Sequence, residues 1–300
     1  MIALFPGQGS QAVGMGHALY EGSPAARKVL ELAEATLPGL LKLMFEGPEE
    51  TLTLTENAQP ALLAVGYAAY VAYREAEGPL PEAAAGHSLG EWTAHAAAGT
   101  LPFEEALRLV RLRGRYMQEA VPVGEGAMAA VLKVPLEKVE AAIQDLEGVW
   151  VANLNAPGQV VISGKKAAVE AAAEALKAAR ARVVFLNVSA PFHSPLMAPA
   201  AERLARELEN VPFADPAFPV WANATARPVT TGAEAKRLLI EQITAPVRFA
   251  ETLERLGPGR YVEFGPGRVL AGLVRRTLEE VEVKNVSTPE EAREVAAWLR

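Results

Sequence analysis

Ala83-Ala84-Ala85-Gly86-His87-Ser88-Leu89-Gly90-Glu91 carries the strongest local signal in the chain. Three small apolar residues read as a short strand, although alanine is a poor strand former. Gly86 and Gly90 bracket Ser88 in a G-x-S-x-G pentapeptide, and a helical segment follows to about Ala98. Glycines at this spacing let a strand turn sharply into a helix and leave the serine exposed at the apex. The Leu89 backbone N–H, at the helix start, can then donate to a developing oxyanion. A serine there is also an ordinary helix cap. The pentapeptide alone leaves both readings open.

Outward from this turn the chain reads as mixed α/β. Residues 2–5 form a short buried strand, followed by the Gly-rich loop Pro6-Gly7-Gln8-Gly9-Ser10-Gln11. Helical periodicity covers Ser23–Phe45, Pro60–Glu77 and Phe103–Ala120, with Gly78-Pro79-Leu80-Pro81 as a breaker. The middle changes character. Strands at 126–134, 149–155, 159–164 and 182–188 alternate with helices at 135–146 and 165–180. That is β-α-β-β-α-β in about 65 residues, the ferredoxin-like order. The tail returns to helices at 197–209 and 233–243, a strand at 260–264 and a helix from about Val269 to Glu280. The fold expected is α/β: an α/β-hydrolase-like large domain, 1–123 plus 191–300, with an inserted ferredoxin-like small domain, 124–190.

Composition limits the chemistry. The 300 residues include no cysteine, so thiolate nucleophiles, disulfides and cysteine-ligated metals are out. A reducing, cytoplasmic setting is expected. The net charge of −7 argues against nonspecific binding to nucleic acid or an anionic membrane. The longest apolar run, Pro60–Tyr73, is too short to span a bilayer, and the N-terminus lacks the basic start of a signal peptide. No surface pattern demands a dimer, so a monomer is expected.

A serine nucleophile needs a base, and only His17, His87, His95 and His193 are available. His87 adjoins Ser88, so its side chain should point away. His95 sits about 10 Å along the helix by rise alone. His193, in Ser189-Ala190-Pro191-Phe192-His193-Ser194-Pro195, lies where the small domain returns to the large one, a good place for a catalytic side chain or for a solvated loop histidine. No acid completes a triad. Asp145 and Asp215 are the only aspartates, and neither is well placed. A neutral acceptor can orient an imidazole instead.

Arg113 is the second sharp feature. Arg108, Arg111 and Arg115 share a solvated helix face with Glu104, whereas Arg113 points with Ala106, Leu109, Val110 and Met117. A guanidinium on an apolar face must find an anion. The partner is either an internal glutamate or a substrate carboxylate held in bidentate fashion. Gly7-x-Gly9-x-x-Ala12 after a strand mimics a dinucleotide fingerprint, but the segment that follows does not build the required βαβ unit. A better use of that loop is a Gln8 N–H aimed at the same oxyanion.

Together these segments resemble the malonyl-CoA:acyl carrier protein transacylases of type II fatty-acid synthesis. The resemblance runs from residue 2 to about 275. It rests on Phe5–Gln11, Gly86–Glu91, Arg111–Gly114, Gly126–Ala130, Asn153–Gly164, Phe192–Met197 and Glu263–Gly267, in the family's order. It implies Ser88 as nucleophile, His193 as base, and Gln242 as the residue whose carbonyl orients the histidine. It implies Gln8 and Leu89 as the oxyanion hole and Arg113 as the partner of the malonyl carboxylate. Met117 and Asn155 match pocket-lining positions. Phe192, preceding His193, resembles the malonyl-selective form of the motif in related acyltransferase domains and is the further substrate-binding candidate. The implied partners are malonyl-CoA and a phosphopantetheine-bearing acyl carrier protein, with no cofactor. Lys165, Lys166, Lys177, Arg180, Arg182, Arg275 and Arg276 are candidates for docking an acidic carrier. A serine esterase or thioesterase would share Ser88 and His193 without needing Arg113. A noncatalytic carrier- or CoA-binding module would use Ser88 only as a cap.

Overall fold

The structure, a computed structural model, describes residues 1–300. Eleven strands follow in chain order: β1 (Ile2–Phe5), β2 (Ala83–Gly86), β3 (Gly126–Leu132), β4 (Val149–Ala156), β5 (Gln159–Lys165), β6 (Arg182–Phe185), β7 (Val220–Trp221), β8 (Pro228–Val229), β9 (Val247–Arg248), β10 (Gly259–Phe264) and β11 (Val281–Val286). They build two sheets. The larger runs β11-β10-β1-β2-β7-β8, parallel except for the terminal β7–β8 pair. The smaller runs β6-β3-β5-β4-β9. Its first four strands are antiparallel and come from one continuous stretch, in spatial order fourth-first-third-second. β9, from much later in the chain, adds parallel to β4.

Parallel strands covered on both faces read as unbroken apolar runs. β1 fits, with Ala3, Leu4 and Phe5 fully buried. β2 fits for a different reason. Its alanines are weak strand formers, yet all four of its residues are buried between β1 and β7. Position overrides propensity here. The smaller sheet has a core of its own, including Val131, Val139, Ile162, Val169 and Leu176.

Several expected elements differ in extent. The helix read over 23–45 is two, Pro24–Thr36 and Leu40–Glu46, because Gly39 takes a left-handed conformation (φ 93°) between them. The helix read from Pro60 begins at Thr55. The strand read over 182–188 ends at Phe185. After β1 the Gly-rich loop passes through turns, and no helix starts before His17, which removes the dinucleotide reading. Beyond residue 280 lie β11 and a helix, Pro289–Leu299, neither expected. No helix is long and apolar enough to cross a membrane.

The β1–β2 register pairs Phe5 with Gly86, so the loops carrying Gln8 and Ser88 leave the sheet side by side. That closeness dictates the glycines. A Cβ on Gly90 would stand 2.0 Å from the Phe5 carbonyl oxygen, and one on Gly86 2.0 Å from the Gly90 backbone. Gly272, inside the helix Val269–Thr277, would meet nothing within 4 Å. Gly90→Ala should therefore cost at least about 1–3 kcal/mol through overpacking. Gly272→Ala should gain about 0.5–1 kcal/mol through helix propensity. Urea unfolding of both variants checks the opposite signs.

Candidate active site

Ser88 stands at the junction of β2 and the helix Leu89–Ala97 with φ 53° and ψ −109°. A non-glycine residue pays for that conformation, which persists only where the surroundings enforce it. Three contacts do so. The Ser88 N–H donates to Asn223 Oδ1 (2.7 Å), the Gly90 N–H to the His87 carbonyl (2.9 Å) and the Glu91 N–H to the Ser88 carbonyl (3.0 Å). The Ser88 side chain makes no capping bond to its helix. Its hydroxyl lies 2.8 Å from His193 Nε2.

His193 reaches Ser88 from the loop after the small sheet and also carries a positive φ, 54°. Its Nδ1 lies 2.9 Å from the backbone carbonyl of Gln242. That carbonyl closes the helix Gly232–Glu241, where the last C=O groups lack intrahelical partners. A carbonyl only accepts, so Nδ1 carries the proton and Nε2 presents its lone pair to the serine. No acid takes part: Asp145 is exposed, and Asp215 accepts from the Gly232 N–H. Burial, and next the Arg113 cation, push His193 down to about 3 from its usual 6.5. The imidazole is thus neutral, the form a general base needs.

Arg113 is only 1% exposed. Its Nη1 donates to Gln59 Oε1 (2.7 Å), and its Nη2 donates to Gln242 Oε1 (2.8 Å) and Ser88 Oγ (3.1 Å). All three acceptors are neutral, so no internal carboxylate claims the charge. Burial lowers its pKa to about 10, with Glu91 as the opposing charge nearby. The other arginines of the helix face outward, Arg108 on Glu105 and Arg115 on Glu56, with Arg111 half-buried.

These groups line a cavity of about 110 Å³ with Gln8, Gln59, His87, Leu89, Met117, Met128, Asn153 and Phe192. It adjoins a wider mouth of about 790 Å³, sharing Gln8, Leu186 and Val188. The Gln8 N–H has no protein acceptor, and its side chain is held by Thr55 (3.0 Å). Leu89 opens its helix, where amides lack intrahelical partners. The cavity thus brings together Ser88, His193, Arg113, Gln8, Leu89, Met117 and Phe192, with Gln242 immediately behind.

Two expectations need correction. Asn155 is not among the lining residues: its Oδ1 sits 2.7 Å from His87 Nε2, and Asn153, two residues back on β4, lines the cavity instead. His87 does not point away, because the tight turn lays its ring against Phe249 at the cavity wall. His95 is buried on Thr100, and His17 pairs with Glu21 at the surface. The sequence reading missed Gln59, Asn223 and the role of Glu91. Gln59 and Glu91 had a signal, a polar residue inside an apolar helix. Asn223 had none, since it acts 135 positions from Ser88.

Such a site has the parts for acyl transfer: a hydroxyl on a neutral imidazole, free amides beside it and a buried cation. The acyl transferase domain family model matches residues 3–297. The chain belongs to that family and is an acyltransferase. It is 48% identical over 296 residues to the malonyl CoA-acyl carrier protein transacylase of Bacillus subtilis, covering 96% of this chain and 93% of that one. Among solved structures it resembles the acyl-carrier-protein-S-malonyltransferase of Bartonella henselae (TM-score 0.96, 41% identity, 99% and 98% of the two chains). It also resembles PlMCAT, a malonyl-transacylase solved in complex with the type II PKS acyl-carrier protein AntF (TM-score 0.95, 40% identity, 99% and 98%).

Glu91 offers a test of the site's electrostatics. Burial pushes its carboxyl up to about 7, from 4.5. The protonated form therefore favours the fold below pH 4.5, and that contribution is lost as pH rises toward 7. Glu91→Gln does not titrate. The melting temperature of the unsubstituted protein should fall relative to Glu91→Gln across pH 4.5–7. A flat difference by calorimetry would rule out the raised value.

Proposed function

We propose that this protein transfers a malonyl group from malonyl-CoA to the phosphopantetheine thiol of an acyl carrier protein, through a malonyl-serine intermediate. The observation that carries the reading is Arg113, a buried cation 3.1 Å from the Ser88 hydroxyl with only neutral partners. An esterase has no use for such a group. A carboxylated acyl chain has, because a buried guanidinium gains most from a bidentate carboxylate.

The chemistry proceeds as follows. The malonyl carboxylate pairs with Arg113, and the thioester carbonyl points to the Gln8 and Leu89 amides. Ser88 Oγ attacks the carbonyl carbon as its proton passes to His193 Nε2. The C–S bond breaks, and the departing CoA sulfur takes that proton. The carrier thiol then gives its proton to His193 and attacks the ester carbonyl, and Ser88 recovers the proton as it leaves. Gln242 orients the imidazole without adding a negative charge beside the malonyl group, as a triad carboxylate would. Pairing Arg113 with the substrate also offsets the cation that weakens His193 as a base. Met117 and Phe192 bound the acyl group.

In the same reading, residues 1–123 and 191–300 form an α/β-hydrolase-like large domain, and 124–190 an inserted ferredoxin-like one. The fourth-first-third-second strand order and the separate core support this. The enzyme acts as a cytoplasmic monomer without a cofactor. Asn155 supports His87 rather than touching substrate. The basic candidates for carrier docking, from Lys165 to Arg276, are all exposed.

Intact-mass analysis after mixing with malonyl-CoA should show one malonyl adduct, absent in Ser88→Ala and discharged by a pantetheine thiol. Free malonate released without an acceptor favours an esterase, and binding without an adduct favours a noncatalytic module. Arg113→Ala should lower kcat/KM for malonyl-CoA about 100-fold, near 2.7 kcal/mol, and for acetyl-CoA far less. Equal losses would sink the role given to Arg113.

A further inference from the structure

Glu91 is the one carboxyl in the nucleophile's network, and the mechanism above gives it no task. It lies three residues after Ser88, on the same helix, with no exposure at all. Its Oε1 accepts from the Asn223 backbone N–H (2.8 Å) and from Gln242 Nε2 (3.0 Å). Its Oε2 has no partner.

The Gln242 side chain stands between Glu91 and Arg113. Its Oε1 accepts from Arg113 Nη2 at 2.8 Å. Its Nε2 faces Glu91 Oε1, Asn223 Oδ1 (3.1 Å) and the Ser88 carbonyl (3.0 Å). An amide has a donor end and an acceptor end, exchanged by a half-turn about its last torsion. A guanidinium has donors only. If the amide turned over, its NH2 would meet the Arg113 N–H groups, and the guanidinium would have to move. What prevents this is the set of acceptors on the far side. All three also serve another donor, the Ser88 carbonyl the Glu91 N–H, Asn223 Oδ1 the Ser88 N–H and Glu91 Oε1 the Asn223 N–H. Glu91 alone is a carboxyl with acceptor capacity to spare, its Oε2 being unpartnered.

We propose that Glu91 is a positioning residue: its Oε1 holds the Gln242 amide with the oxygen toward Arg113, and so sets the guanidinium where it meets the carboxylate of the acyl group. This rests on the reading of Arg113 given above. The role needs an acceptor at Oε1 and does not need a charge. Glutamine can therefore fill it, and methionine, similar in size and without an acceptor of that strength, cannot. The loss falls more heavily on recognition of a carboxylated donor than on the Ser88–His193 pair, which the Glu91 carboxyl reaches only through Asn223 and Gln242.

The test compares Glu91→Met and Glu91→Gln with the unsubstituted protein, using malonyl-CoA and acetyl-CoA as donors and a pantetheine thiol as acceptor. Glu91→Met should lower kcat/KM for malonyl-CoA about tenfold more than kcat/KM for acetyl-CoA, with the extra malonyl loss carried in KM. Glu91→Gln should restore most of the malonyl preference. Equal losses for both donors in Glu91→Met would overturn the proposal, as would a Glu91→Gln variant no better than Glu91→Met. Circular dichroism melts establish folding. Glu91→Ala, which leaves room for a water, is read in the same way if the Met variant does not fold. An unsubstituted protein that shows no malonyl preference defeats the proposed function itself. A selective one whose variants keep their selectivity defeats only the role of Glu91.

Discussion

A guanidinium buried without a carboxylate partner is the constraint on which this molecule's centre depends. Removing a charge from water is costly unless hydrogen bonds and an anion replace the lost hydration. Arg113 finds the hydrogen bonds in Gln59, Gln242 and Ser88 and touches no carboxylate, the nearest opposing charge being Glu91 beyond the Gln242 amide. Each acceptor comes from a different element: the helix Thr55–Glu75, the end of the helix Gly232–Glu241, and the turn after β2. The site therefore holds a positive charge beside a nucleophile with no carboxylate in contact with it. That arrangement is poor for the stability of the empty protein and good for selecting an acyl group that brings its own carboxylate.

The histidine shows the same economy of charge. A carboxylate behind His193 would stabilise an imidazolium, and it would also stand near Arg113 and satisfy it. Using the Gln242 backbone carbonyl instead fixes the tautomer while leaving the cation free. One residue thus serves both partners, its main chain holding His193 and its side chain holding Arg113. The strained backbones of Ser88 and His193 fit the same logic, since strain persists where surrounding contacts over-determine it. The glycines of the elbow are the other half of that enforcement. They let β1 and its loop approach closely enough to place Gln8 beside Ser88.

Much of this was legible along the chain. The G-x-S-x-G turn, the apolar-face position of Arg113 and the β-α-β-β-α-β run are local patterns, and local patterns obey periodicity and turn chemistry. One legible signal went unread. Thr288-Pro289-Glu290-Glu291 is a capping box with proline at the first helical position, and Thr288 does accept from the Glu291 N–H. The strands β7, β8 and β9 had no such signal. Two residues are too few to show a period, and they are strands only because a neighbouring strand offers hydrogen bonds.

By itself the sequence determined which chemistry was available: no thiol, four imidazoles, two aspartates and one arginine on an apolar helix face. It also determined the elbow, because the glycine pattern is a local steric requirement. Only the tertiary structure decided which atoms met. Ser88 and His193 are 105 positions apart, Arg113 and Gln242 are 129, and Glu91 and Gln242 are 151. It also decided that Asn153 lines the cavity and Asn155 does not. The physical reason is the same throughout. Periodicity and turn preference act over a few residues, whereas a buried polar network is closed by whichever donors and acceptors the packed sheets bring within 3 Å or so of one another.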